Sequence, residues 1–147
     1  MMVRLLQGVM MLLFVAACTA LPPPSVQLRD LEPADQGYYR VSFSTDQLTR
    51  AEAQELLLLS AALVSRKEGG ALFQFRSVSA TGLVDELTEK VRYYDVVAVI
   101  DPLVQGERGD GVRKTYEAEG VIGFLGPKYL PLLPADLAEA YGAGAGG

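Results

Sequence analysis

The sequence predicts an α+β domain: a small two-layer sandwich in which a β-α-β unit is followed by a β-hairpin, with one long helix packed on the sheet. Three stretches predict it. Tyr39, Val41 and Phe43 alternate with Arg40, Ser42 and Ser44, the period of two of a half-buried strand. Residues 49–68 place Ala53, Leu56, Leu57, Leu63 and Val64 at helical spacing, with Leu58, Leu59, Ala61 and Ala62 widening the apolar arc. Residues 91–100 are rich in β-branched and aromatic side chains, with Tyr94, Val96, Ala98 and Ile100 on one face, and read as a central strand.

The helix has its own start and stop. Thr49-Arg50-Ala51-Glu52 fits a capping box, in which the threonine hydroxyl accepts from the N–H three residues on and the glutamate reaches back to the threonine N–H. Arg66-Lys67 suits the negative end of the helix dipole, and Gly69-Gly70 supplies a C-terminal stop. From Ala71 the period returns to two, with Phe73 and Phe75 on one side and Leu72, Gln74, Arg76 and Val78 on the other. Strand, helix and strand within about forty residues suggest a crossover that places both strands in one sheet. Residues 77–82 read as an exit and 83–89 as one or two helical turns. Asp101-Pro102 is expected to end the central strand, because proline cannot donate to a ladder. The glycine-rich charged stretch 105–113 then reads as a hairpin loop, and 115–125 as the returning strand, closed by Gly126-Pro127.

Before the domain comes a leader. Arg4 gives residues 1–17 a positive start, and residues 5–17 form an apolar run too short for a permanent bilayer span. Val15-Ala16-Ala17-Cys18 resembles the lipobox of bacterial lipoprotein precursors, which implies that Cys18 receives diacylglycerol and becomes the first residue of the mature chain. Stable anchoring takes at least two acyl chains, and a diacylglyceryl cysteine carries two. The rival reading, cleavage after Ala20 with Cys18 as a small apolar leader residue, leaves that complete pattern unused. Leu21-Pro22-Pro23-Pro24 favours an extended conformation and reads as a tether. The expected divisions are a signal peptide over 1–17, a lipidated cysteine and proline-rich tether over 18–36, a globular α+β domain over 37–127, and a C-terminal segment over 128–147 ending in a flexible Gly/Ala tail. Thr19 after the cysteine is not the aspartate resembling an inner-membrane retention signal, so the expected place is the outer membrane, facing the periplasm.

Composition narrows the function. The chain of 147 residues has 13 basic and 18 acidic residues, and loses only Arg4 with its leader, which leaves 12 against 18. A nucleic-acid partner would favour the opposite sign. Cys18 is the only cysteine and histidine is absent, which removes internal disulfides, the usual nucleophilic triads and histidine or thiolate metal sites. Two acid pairs remain: Asp95 with Asp101, and Glu117 with Glu119 on an expected shared strand face. A solvated polar face accounts for them more simply than acid–base chemistry. Gly106-Glu107-Arg108-Gly109-Asp110-Gly111 lacks the lysine and following helix of a phosphate loop, and its Arg-Gly-Asp tripeptide reads as a hairpin tip. Arg108, Arg113 and Lys114 form at most a small basic patch beside Glu107 and Asp110. Tyr93, Tyr94, Tyr116 and Tyr129 are candidates to line a binding groove, Tyr93 and Tyr116 foremost.

Tyr39-Arg40-Val41-Ser42-Phe43-Ser44, the Leu/Ala-rich segment 56–64, the glycine-to-aromatic step at 70–75 and the stretch 94–116 together resemble a family of small, uncharacterised alphaproteobacterial lipoproteins. The resemblance implies the envelope location and the α+β fold and carries no catalytic residue; the acidic segment 81–90 departs from it. The expected role is therefore a lipid-anchored, non-catalytic interaction or structural domain, without cofactor or metal, whose partner is an envelope protein or the cell wall. A periplasmic small-ligand or cation carrier is the first rival, and a carboxylate-dependent hydrolase the second.

Overall fold

The computed structural model describes residues 22–104, 106–135 and 138. The strands are β1 (Ser25–Pro33), β2 (Tyr39–Asp46), β3 (Gly70–Val84), β4 (Val91–Val104) and β5 (Thr115–Glu117), and the helices are α1 (Arg50–Lys67) and α2 (Ala118–Tyr129). The strands form one antiparallel sheet in the order β1-β2-β4-β3-β5. The fold is α+β.

Helix α1 forms where the sequence places it. Glu52 N–H donates to Thr49 Oγ1 at 3.2 Å and Thr49 N–H to Glu52 Oε2 at 2.9 Å, so the capping box satisfies two donors that no helical carbonyl can reach. At the other end the chain leaves through Gly69 at φ +80°. The fully buried Ser65 hydroxyl then bonds the carbonyls of Gly70 and Leu72 at 3.0 and 3.1 Å, tying the helix to the start of β3.

Strands β2 and β3 run parallel to each other because both are antiparallel to β4, which lies between them. The expected strand-helix-strand unit is thus present in split form. Val41 and Phe43 of β2, Phe73 of β3 and Val96, Ala98 and Ile100 of β4 are each at most 1% exposed, and Leu56, Leu59 and Leu63 of α1 close over them. Removing that apolar surface from water is the main stabilising contribution.

Four expectations are corrected. The tether does not run to Gln36: Ser25–Pro33 pairs with β2, and Val26 and Leu31 pack on the core. An extra residue between the Leu28 and Asp30 pairs brings Val26 and Leu31, five positions apart, to one face, which hides the period of two. The hairpin is β3–β4, turned by residues 85–90, so 77–84 is strand where an exit and a helical turn were expected. Asp85 organises that turn, accepting from the N–H groups of Leu87 and Thr88 at 3.0 and 3.1 Å. Strand β4 continues through Pro102 to Val104. Its pairing with β2 ends at Ile100, so it is an edge strand at Pro102, where a missing N–H is tolerated.

The fourth correction is the largest. Only Thr115–Glu117 is strand, pairing with Leu72, Phe73 and Gln74 of β3 rather than with β4, and Ala118 opens a second helix. Ala118, Val121, Ile122, Leu125 and Tyr129 recur at helical spacing and are buried or partly buried in the common core, while Phe124 is left exposed. The globular unit therefore runs past residue 127, through Tyr129 and Leu133, and two helices rather than one cover the core. The residues 142–147 expected as a flexible tail lie outside the described residues.

Candidate binding cleft and open sheet edge

Strand β3 is 15 residues long, but β5 covers only three of them. On that side, residues 75–84 have no strand partner among the described residues. Arg76 is the extra residue of a bulge between the Phe75 and Ser77 pairs, and it reverses the alternation beyond it. Val78, Ala80 and Gly82 consequently lie opposite Ala98, Val96 and Tyr94, on the core face, whereas Ser77, Ser79, Thr81 and Leu83 face outward. Strict alternation in the sequence puts Val78 on the side opposite Phe73 and Phe75; the bulge returns it to theirs. Residues 77–83 are all exposed, with Val78 at 50% and Leu83 at 49%.

Beside this edge a cleft of about 450 Å³ opens between α1 and the sheet, lined by Ala51, Gln54, Glu55, Leu57, Leu58, Phe75, Val78 and Tyr116. Three aromatic rings stiffen its floor. Phe73 and Tyr116 stack with centroids 5.3 Å apart, and Phe75 meets both edge-on at 5.8 and 5.9 Å. Lys114 Nζ lies 4.8 Å from the Tyr116 ring centre, a cation over its face.

Glu55 sits at the rim and is held by α2. The buried Tyr129 hydroxyl donates to Glu55 Oε2, and Lys128 Nζ donates to the same oxygen at 3.1 Å while lying 3.6 Å from Glu52. The tyrosine bond and then the lysine hold the Glu55 carboxyl below its ordinary range. Tyr129 and Glu55 together raise Lys128, and burial pushes the Tyr129 hydroxyl up. With the Arg66–Glu119 contact at 3.8 Å, these groups fix α2 antiparallel along α1.

Across the sheet, Gln74 is fully buried and organises the 106–114 loop. Its amide nitrogen donates to the Arg113 carbonyl at 3.1 Å and to Thr115 Oγ1 at 2.9 Å, and its oxygen accepts from Asp110 N–H at 3.4 Å. Asp110 accepts from the N–H groups of Arg113 and Val112 at 2.8 and 3.0 Å and pairs with the Arg113 guanidinium, which brings its carboxyl down to about 2. The Arg-Gly-Asp aspartate is thus engaged within its own loop. A second cleft of about 360 Å³ lies nearby between Gln36, Tyr38, Arg76 and Asp101. There Arg76 binds Asp101 Oδ2 at 2.5 and 3.0 Å and lies 4.8 Å over the Tyr38 ring, so its charge is matched within the fold.

The residues singled out from sequence fare unequally. Tyr116 lines the cleft. Tyr93, 43% exposed, stands on the other sheet face at the level of Leu83, ten positions along β3 from the Phe73 partner of Tyr116, so the two share no groove. Tyr94 and Tyr129 are buried. Asp95 and Asp101 are six residues apart on β4, about 20 Å, and lie against Arg29 and Arg76 respectively. Glu117 ends β5 and Glu119 lies in the first turn of α2, so they share no strand face. Among the described residues no group of three or more acids, cysteines or histidines is arranged to hold a metal ion. Val15, Ala16, Ala17 and Cys18 lie outside the described residues. Gln74, Phe75 and Val78 carry roles that sequence reasoning missed. An uncharged, proline-free run over 77–83 was the available sign of an open edge.

Comparison of the chain with protein-family models, curated proteins and solved structures finds no match.

Proposed function

We propose that the chain is a lipid-anchored protein of the bacterial cell envelope, held through Cys18 to the outer membrane, whose α+β domain acts by non-catalytic contact with another macromolecule. The observation that carries the reading is the ten-residue open edge of β3 beside an apolar cleft. An unpaired strand offers a row of backbone donors and acceptors to an incoming strand, and a neighbouring pocket can select its side chains. The contrast within the molecule supports this. The other sheet edge, β1, carries Arg29, Glu32 and Pro33, the residues that discourage strand addition, while 77–83 carries neither charge nor proline.

Two experiments test the two halves. A fatty-acid analogue fed to cells should label the wild type and spare Cys18→Ser; label retained by the variant removes the anchor from the account. A photo-crosslinking residue in place of Val78 should capture a partner in intact envelopes, and one in place of Val112, 90% exposed on the 106–114 loop, should not. Absence of any adduct at position 78 defeats the contact reading.

The size of the cleft favours one second reading, a small-ligand carrier, since such sites span about 300–1,000 Å³. That reading predicts thermal stabilisation by apolar metabolites, which Leu58→Glu would abolish.

A further inference from the structure

Taking the β3 edge as the contact surface, we infer that its partner is a second copy of the same chain, the two edges pairing antiparallel about a two-fold axis through Ala80. The inference rests on the contact reading above and names the partner. An isologous pairing sets residue 80 + k against 80 − k, so the edge must complement itself. It does so on both faces. On the cleft side Val78 falls opposite Gly82 of the other copy. Val78 is a half-exposed knob, and Gly82 is a notch: a Cβ there would lie 2.7 Å from Tyr94 Cδ2, so the position stays bare. On the outer face Ser79 falls opposite Thr81, a hydroxyl pair that cross-strand neighbours favour, and Ser77 falls opposite Leu83.

Charge points the same way. The chain has a net charge of −5, yet residues 77–83 are neutral, so two copies meet along this line without setting like charges opposite each other. Joining β3 of one copy to β1 of the next would instead set Arg29, Glu32 and Pro33 in the seam and would grow without closing. Residues 76–84 contribute about nine positions per copy, fewer than the roughly 20–30 of a standard interface. The pair is therefore weak in free solution and is strengthened when anchored chains share one membrane, which raises their effective concentration.

The test is sedimentation of the full-length chain in detergent micelles over a hundredfold range of protein concentration. The wild type shows a reversible monomer–dimer equilibrium. Ala80→Lys and Ala80→Glu, each setting like charges together at the axis, weaken it at least tenfold, while Val112→Lys leaves it unchanged. Because either variant could simply misfold, an equimolar mixture of the two is the deciding arm: opposite charges at the axis restore the dimer as a heterodimer. A wild type that stays monomeric, a dimer that both variants retain, or a mixture that fails to associate overturns the inference. A monomeric wild type whose position 78 still crosslinks to a different protein removes the second copy and leaves the contact reading standing. No adduct of any kind removes both.

Discussion

Gln74 illustrates how one side chain can hold a loop. All its amide hydrogen bonds run to the 106–115 segment, and it has no access to water. Replacing it with leucine leaves the Arg113 carbonyl and Asp110 N–H without that partner in a part-buried site. Leaving a buried polar group unpaired costs about 1–3 kcal/mol, so Gln74→Leu should lower stability by about 2 kcal/mol in urea unfolding. A loss below about 0.5 kcal/mol would contradict its role. Asp110 in the same loop sets an acid limit. Those bonds hold its carboxyl at about 2 in the folded chain against an ordinary 3.8, so its contribution is complete above pH 3.8 and is lost as pH falls toward 2. Glu52, Glu55 and Asp85 are lowered as well and act with the same sign. Tyr39, bonded to Glu68, and Tyr129 are raised, so their contributions are present below pH 10 and disappear above it. Unfolding followed across pH should show a plateau between about 5 and 9, with an acid decline; stability still rising as pH falls from 4 to 2 would contradict these assignments.

At the scale of elements, α1 is the piece that the sequence specifies most fully. Its cap, its apolar face and its closing glycine agree, and removing the cap with Thr49→Ala should cost about 1 kcal/mol. Leu56, fully buried against the sheet, should cost about 2–5 kcal/mol when cut to alanine. Strands β2 and β4 were legible for the same reason, an unbroken period of two. Strand β1 was not, because one extra residue at its bulge shifts Leu31 out of phase with Val26. Bulging at Arg76 likewise misassigned the face of Val78. In 115–129 two periods coexist, and the strand reading of Tyr116, Ala118, Gly120, Ile122 and Phe124 competes with the helical one of Ala118, Val121, Ile122, Leu125 and Tyr129. Packing against α1, together with the bond from Tyr129 to Glu55, decides for the helix. Of the cleft lining, only Tyr116 is a binding candidate from sequence; Leu57, Leu58, Phe75 and Val78 read there as helix and strand faces, and their meeting depends on strand order, which no local pattern encodes.

The whole molecule is a lopsided sheet. Both helices pack into the core on one face, and the hairpin β3–β4 reaches well beyond β5, so that among the described residues ten of the fifteen in β3 have no strand partner on the side away from β4. That asymmetry, set beside a charged opposite edge, is the ground on which the contact is proposed. Substituting Val78 by lysine should suppress every edge-dependent association while leaving thermal unfolding within about 0.5 kcal/mol of wild type, because an exposed side chain away from special backbone geometry contributes little to the fold. The openness of the β3 edge is the premise for both the contact and the dimer. It is tested most directly by amide hydrogen exchange, resolved to single residues, on dilute monomeric protein. The account predicts that alternate amides across 75–84 exchange quickly, those pointing away from β4, while the amides of residues 94–100 between β2 and β3 exchange slowly throughout. Uniform slow exchange across 75–84 in the dilute monomer would show that the edge is already covered and would contradict it.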